Sequence, residues 1–192
     1  MNIRVVLLLA PLLLSGCSTI SSFSWSKLSP TNWFGSSLEL SNNGLSGISA
    51  TTPLDERILN KTLDGDYRLR KGMSMSGGQM VSYYEAMDGD KVALVFHGNA
   101  NNRVNRIEVM DKSIQTSTGI HVGTEFSDLY EKAFGVCEVG SDDNSGKVVC
   151  RSRESRLITY VFSGEWMGPV TIMPSDDKLQ HWTISKMIWQ SK

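Results

Sequence analysis

The sequence predicts an α+β domain over residues 38–192, made mainly of antiparallel sheet with two short helices. Short runs of branched and aromatic residues alternate with polar residues, which is the pattern of half-buried strands. Turn sequences such as "DGD" at 88–90 and "GNANN" at 98–102 separate these runs. Helical spacing occurs in two stretches, and both are so short that they must pack on a sheet to be stable.

The first predicted helix lies in "TPLDERILNKTLDG". Thr52 suits the N-cap, Pro53 suits the first helical position, and Gly65 suits the stop. The second lies in "TEFSDLYEKAFG", where Thr124 is the expected N-cap and Gly135 the expected stop. The apolar residues at helical spacing are Leu54, Ile58, Leu59 and Leu63 in the first stretch, and Phe126, Leu129, Tyr130, Ala133 and Phe134 in the second.

Strands are predicted where β-branched and aromatic residues cluster between turn signals. The last strand, from Trp182 to Trp189, alternates most clearly, so its even-numbered residues are expected on one face and its odd-numbered residues on the other. The predicted strands are 67–71, 80–87, 92–97, 104–111, the two arms of a hairpin within 137–150, 157–162, 170–173 and 182–189.

Cys137 and Cys150 flank the turn-forming sequence "GSDDNSG". Placing Asp143 and Asn144 at the centre of the turn sets the two cysteines opposite each other, so the sequence predicts a hairpin closed by a disulfide. For a loop of this length, the chain-entropy model gives about 3 kcal/mol of stabilisation. A thiol redox site is the alternative, although it lacks the C-x-x-C arrangement.

The two helical stretches have similar surroundings. Each follows a Gly, apolar, Gly pattern, ends at Gly and precedes a set of strands. This similarity suggests an internal duplication of a helix-plus-meander unit, with halves 38–115 and 116–192. Chance similarity between two capped helices is the alternative.

The start of the chain predicts an export signal and a lipid anchor. Arg4 precedes an apolar run at 5–14, about half the length of a membrane-spanning helix. The sequence Leu14-Ser15-Gly16-Cys17 resembles the lipobox of bacterial lipoproteins, which implies removal of residues 1–16 and acylation of Cys17. Ser18 differs from the Asp typical of inner-membrane retention, so the resemblance points to the outer membrane. An incidental thiol after an ordinary signal peptide is the alternative.

Residues 17–37 are rich in serine, as expected for a flexible tether between the anchor and the domain. Trp25, Trp33 and Phe34 are unusual in a free linker, and either the domain or the lipid headgroups could receive them. The net charge of −1 gives no electrostatic support for nucleic acid as a partner.

One stretch, "VALVFHGNA", resembles the strand and His-Gly turn that form the oxyanion hole of α/β-hydrolases. A nucleophile elbow should follow it, yet the only similar sequence, "GMSMS" with Ser74, lies upstream and lacks the closing Gly. His97 and Gly98 are therefore interpreted as the end of a hairpin. A hydrolase that uses His97 and Ser74 remains the alternative.

No metal site or cofactor is predicted. His97, His121 and His181 are scattered without ligand spacing, and no glycine-rich phosphate-binding motif occurs. Arg151 and Arg153 would share one face of a strand, where they could bind a small anion or a lipid headgroup. A solvated strand face is the simpler interpretation of this pair.

The whole chain resembles the RpoE-regulated (sigma-E-regulated) lipoprotein family of enteric bacteria, whose domain has no assigned function. The resemblance rests on "LLSGC", on "GIHVGTEFSDLYEKAFGVC" with the second cysteine at 150, and on "HWTISKMIWQ". It implies an outer-membrane lipoprotein that faces the periplasm under envelope-stress control. It supplies no catalytic residue.

Together these observations predict a membrane-anchored, non-enzymatic module that binds an envelope protein, peptidoglycan or a lipid and helps to maintain the outer membrane. A small-molecule-binding protein or a hydrolase, built around His97, is the alternative. A deep pocket lined by both His97 and Ser74 would favour that alternative.

Overall fold

The largest element of the fold is an antiparallel sheet of eight strands. The computed structural model describes residues 38–192. In chain order the elements are β1 (Glu39–Ser41), β2 (Gly44–Leu45), α1 (Glu56–Thr62), β3 (Arg68–Ser76), β4 (Gln79–Asp88), β5 (Lys91–Gly98), β6 (Val104–Val109), β7 (Gln115–Thr116), α2 (Phe126–Leu129), β8 (Cys137–Val139), β9 (Val148–Arg151), β10 (Ile158–Ser163), α3 (Asp176–Leu179) and β11 (Thr183–Gln190). The predicted fold class, mainly antiparallel sheet with short helices, is confirmed.

The large sheet has the strand order β3-β4-β5-β6-β11-β10-β9-β8. A small sheet, β2-β1-β7, joins residues from the start and the middle of the domain, with β1 parallel to β7. The strand order is symmetric about the β6–β11 pair, since each half contributes a four-stranded meander that follows a helix. A duplicated unit would produce this order, so the interpretation of halves 38–115 and 116–192 stays open. Both halves lie in one compact unit.

The core lies between one face of the large sheet and the segments that cover it. Alternate strand residues such as Phe96, Ile107 and Trp189 are almost fully buried there, against Leu40 from β1 and Leu59 from α1. Each side chain of this kind stabilises the fold by roughly 1.5–3 kcal/mol when it leaves water.

The first helix is shorter than predicted and starts later. Asp55, not Thr52, is its N-cap, because the Asp55 carboxylate accepts hydrogen bonds from the backbone N–H groups of Arg57 and Ile58. The prediction for Pro53 is wrong because this residue bridges to Arg103 as extended chain. Of the apolar positions, Ile58 is 38% exposed, whereas Leu54, Leu59 and Leu63 are buried as predicted.

The second helix is a single turn, so the prediction of a helix that extends to Gly135 is wrong. The chain becomes extended at Tyr130 (φ −139°, ψ 137°), whose hydroxyl donates to the carbonyl oxygen of Arg151. Thr124 is not the cap, because the backbone N–H groups of Phe126 and Ser127 donate to carbonyl oxygens at 182 and 180. Tertiary hydrogen bonds therefore override the helical spacing.

The strict alternation predicted for the last strand is interrupted by a β-bulge. The register pairs Phe162 with Ile184 but Val161 with Lys186, which leaves Ser185 unmatched. Ile184 therefore faces the core, whereas Lys186 faces the opposite side of the sheet.

The prediction of a strand at 170–173 is also wrong. This segment is a turn in which Val170 and Ile172 are more than half exposed. The short strands β1, β2 and β7 and the helix α3 had no sequence signal strong enough to predict them.

The hairpin of β8 and β9 is confirmed. Cys137 and Cys150 are direct cross-strand partners joined by a disulfide, and a 3-10 turn at Asp142–Asn144 forms the centre of the connection. Predictions about residues 1–16, Cys17 and the tether at 17–37 lie outside the described residues. Within residues 38–192, no helix combines the length and the apolar character needed to cross a membrane.

Candidate functional site

A cluster of charged side chains lies on the sheet face that points away from the core. Because strand residues alternate between faces, the core positions of Phe96 and Ile107 place His97, Arg106 and Glu108 on the opposite face. His97 and Arg106 are cross-strand partners. The bulge in β11 turns Lys186 to the same side.

Glu108 is the centre of this cluster. One carboxylate oxygen, Oε2, accepts a hydrogen bond from Lys186 Nζ at 2.7 Å. The other, Oε1, lies 2.8 Å from Arg106 Nη2 and 3.3 Å from His97 Nε2. The Glu108 and Lys186 side chains are only 9% and 7% exposed. Buried neighbours such as Ile188, the cross-strand partner of Glu108, keep water away from this ion pair.

The three neighbours keep the Glu108 carboxyl group ionised. Burial alone would raise the pKa of Glu108, but the His97 ring 3.3 Å away, the hydrogen bond from Lys186 and the charges of Arg106 and Lys186 outweigh burial and lower the pKa to about 2. At neutral pH this carboxylate therefore cannot act as a proton donor. Its contacts with Lys186, Arg106 and His97 hold these three side chains in place.

A cavity of about 300 Å³ opens beside the cluster. Three of its lining residues each have a buried polar atom without a hydrogen-bond partner within residues 38–192: His97 Nε2, Asn105 Oδ1 and Arg106 Nε. His97 Nε2 is close to Glu108 but is not aligned with it as a hydrogen-bond donor. The polar residues that line the cavity are Ser74, Ser76, His97, Asn105, Arg106, Glu108, Asp143 and Gln190.

The cavity brings together Ser74 and His97, the two residues of the hydrolase alternative. No hydrogen bond joins their side chains in the described part of the chain, and Nε2 of His97 is turned toward Glu108. The Ser74 hydroxyl is therefore not activated by a base in this arrangement.

Close packing around residue 98 leaves no room for a side chain, so a glycine follows His97. A Cβ atom at this position would come within 2.8 Å of Leu54 Cδ2 and 3.0 Å of the carbonyl oxygen of Ser82. The His-Gly sequence thus marks a strand end that passes close to two neighbours, which matches its interpretation as a hairpin end.

Arg151 and Arg153 lie away from this cavity. Strand β9 ends at Arg151, so the two arginines are not successive residues of one strand face. Arg151 lines a separate cavity of about 230 Å³ beside the disulfide, whereas the Arg153 guanidinium stacks over the Tyr130 ring at 5.3 Å. Within the described residues, no group of three or more His, Cys, Asp or Glu side chains is placed to hold a metal ion.

The sequence reasoning missed Arg106, Glu108 and Lys186. A signal was present for two of them, because Glu108 lies between two apolar residues in "IEV" and Lys186 is the one charge in "ISKMIW". A charge at a position that the pattern predicts to be buried indicates a buried ion pair. The identity of the partner depends on the pairing of β6 with β11, which brings together residues 78 positions apart in the chain.

Comparison with known proteins gives the family. A family model described as "Protein of unknown function (DUF1131)" matches residues 22–191. The chain belongs to this family. The "Uncharacterized protein YfeY" of Escherichia coli (strain K12) is 48% identical over 189 residues, which is 98% of each chain.

A crystal structure of the uncharacterized protein yfeY from Escherichia coli has the same fold. Its TM-score with this chain is 0.72 at 44% sequence identity, and the match covers 79% of this chain and 99% of the other. The similarity to YfeY thus includes the three-dimensional structure. The DUF1131 family has no assigned activity.

Proposed function

We propose that this protein is an outer-membrane lipoprotein whose domain faces the periplasm and binds a small polar ligand without chemical conversion. The lipobox-like Leu14-Ser15-Gly16-Cys17 sequence, the Ser at 18 and the serine-rich tether support the anchor. The Cys137–Cys150 disulfide favours an oxidising compartment. Envelope-stress control through sigma-E, which the sequence resemblance implies, belongs to the same proposal.

The cavity beside Glu108 is the observation that carries the binding role. Its volume is at the lower end of the range typical of small-ligand sites. Its lining residues carry hydroxyl, amide, imidazole and guanidinium groups, which supply both donors and acceptors for a polar ligand. The ion pairs of Glu108 hold Arg106 in place before a ligand arrives, which reduces the entropy lost on binding.

Binding is favoured over hydrolysis because the cavity lacks an activated nucleophile. Ser74 has no hydrogen bond to His97 within the described residues, and the carboxylate beside His97 is shared with two cations. The ligand classes expected for an envelope module are fragments of peptidoglycan and of lipid headgroups.

The anchor is tested by mass spectrometry and by labelling cells with a radioactive fatty acid. We expect native protein without residues 1–16 and with acyl groups on Cys17, and we expect no label in Cys17→Ala. Ser18→Ala should keep the label and remain in the outer-membrane fraction, whereas Ser18→Asp should move toward the inner membrane. Protein that retains Met1 and carries no acyl group would contradict the anchor.

The cavity is tested by titrating the isotope-labelled protein with N-acetylglucosamine, D-alanyl-D-alanine and glycerol phosphate while NMR spectra are recorded. One of these probes should shift the signals of Ser74, His97 and Asn105 together. Arg106→Gln should weaken that binding roughly tenfold, since a charged hydrogen bond is lost. Arg70→Gln is the matched control, because Arg70 also pairs with a carboxylate but lies outside the cavity.

Two outcomes would argue against this binding role. If none of the three probes shifts these signals, the cavity is a solvated surface feature. If the protein hydrolyses p-nitrophenyl acetate and the His97→Ala variant does not, the hydrolase alternative replaces the binding proposal.

A further inference from the structure

Three exposed methionines share one face of the β3–β4 hairpin. Met73, Met75 and Met80 are 60%, 64% and 57% exposed. Single exposed apolar side chains are common, but three neighbouring ones on a single two-stranded hairpin need an explanation.

The register of the hairpin brings their side chains together. Met75 and Met80 are direct cross-strand partners, and Met73 lies two residues away on the same strand and therefore on the same face. The two-residue connection Gly77-Gly78 has positive φ at both positions (57° and 78°), as in a tight type I′ turn. In such a hairpin Met75 and Met80 occupy a pair without mutual backbone hydrogen bonds, in which side chains approach most closely.

The opposite face of the same hairpin belongs to the cavity described above. Ser74 and Ser76 alternate with the methionines and line that cavity. Met75 also borders that cavity, but strand alternation places its side chain with those of Met73 and Met80 on the opposite, solvent-exposed face.

Three thioethers at this spacing can converge on one ion. Directly opposed Cβ atoms in an antiparallel pair are about 4.5–5.5 Å apart, and diagonal or next-nearest neighbours are about 7–8 Å apart. Methionine has three rotatable bonds, so its sulfur can adjust to a shared ion without movement of the backbone. Leucine or valine could cover the hairpin equally well but could not bind a metal.

We infer that Met73, Met75 and Met80 form a site for Cu(I), the soft monovalent ion that thioether ligands select. The ligands are neutral and do not need to lose a proton, so binding should depend little on pH. Divalent ions that prefer imidazole or carboxylate find no such donors in this trio. The inference does not depend on the proposed ligand cavity.

The test uses the purified full-length protein with its methionine methyl groups labelled with carbon-13. Ag(I), a diamagnetic probe for Cu(I), should shift the methyl signals of the three methionines together and saturate at one equivalent. Cu(I) should also be withdrawn from the chelator bicinchoninate. Site-specific signals distinguish this binding from metal held elsewhere on the protein.

The variants Met75→Leu and Met80→Leu conserve volume at exposed positions, so folding should be preserved. Each should weaken Ag(I) binding by roughly tenfold or more, because one of three ligands is lost. Met167→Leu is the matched control, since Met167 is fully exposed and lies in the connection between β10 and α3, outside the β3–β4 hairpin. Binding in this control should equal that of the unmodified protein.

Three results would overturn the inference. They are the absence of a shift in the three methyl signals, an equal loss of binding in Met167→Leu, and unchanged binding in Met75→Leu. If lipid vesicles of phosphatidylethanolamine and phosphatidylglycerol broaden these signals while Ag(I) does not, the methionine face is a lipid contact and not a metal site.

Discussion

Replacing Glu108 by Gln is expected to reduce the free energy of unfolding by about 3–5 kcal/mol at neutral pH. Gln has nearly the same shape but no charge, so Lys186 would remain buried without a counterion. Arg106 would also lose its anionic partner at 2.8 Å. Removal of one member of a buried ion pair is destabilising mainly because the remaining charge is left uncompensated. Urea denaturation of the two proteins measures the difference.

The effect of this substitution should depend on pH. The pKa of Glu108 is lowered from 4.5 to about 2 in the folded protein. A carboxyl group with a depressed folded-state pKa contributes stability that is complete above its unfolded-state pKa and is lost as the pH falls through the folded-state pKa. The unmodified protein should therefore lose on the order of 3 kcal/mol from this group between about pH 5 and pH 2. Glu108→Gln should lack this loss.

Glu85→Gln provides the control. Glu85 pairs with Arg70, whose side chain is 58% exposed, so its removal should cost less than about 1 kcal/mol. Equal stability losses in Glu108→Gln and Glu85→Gln would show that the buried cluster contributes no more than a surface ion pair. A stability difference that persists unchanged at pH 2 would contradict the depressed pKa.

The sequence predicted the meanders of the large sheet because the residues that indicate each strand and turn lie close together in the chain. Alternation and turn residues identified strands β3 to β6, and the cysteine spacing identified the hairpin of β8 and β9. The helices were predicted less well because their ends depend on distant partners. The chain from Tyr130 onward could have continued the helix, but hydrogen bonds to Arg151 and Asp176 hold it extended.

Only part of the candidate site could be predicted, because the sequence indicates residues in local motifs but not the residues that distant strands bring to them. His97 and Ser74 stood out in local motifs, and the structure places both at one cavity. The residues that give the cavity its charge come from strands far apart in the chain, and a β-bulge at Ser185 decides that Lys186 faces Glu108. A bulge of this kind leaves no local mark in the sequence, so strict alternation grouped Lys186 with Ile184, which lies on the other face.

Replacing Trp189 by Ala is expected to cost about 3–5 kcal/mol of stability, the range for removal of a large buried aromatic side chain. Trp189 is 2% exposed and lies in β11 between Ile107 and Ile158. Its indole N–H also donates to the carbonyl oxygen of Asn42 at 3.0 Å, which ties the turn between β1 and β2 to the last strand. The substitution would therefore open a cavity and also release the small sheet. Thermal and chemical denaturation measure the loss.

Two further variants separate these contributions. Trp189→Phe keeps most of the packing but leaves the Asn42 carbonyl without its donor, so it should cost about 1 kcal/mol beyond the lost volume. Trp166→Ala should cost only about 1 kcal/mol, because Trp166 is partly buried and its indole N–H donates within its own loop, to Pro169. If Trp166→Ala and Trp189→Ala were equally destabilising, the 164–175 connection would be as important to the core as β11. In hydrogen exchange, Trp189→Phe should also expose the amides of β1 and β2 before those of the large sheet, since the released hydrogen bond joins the turn between β1 and β2 to β11.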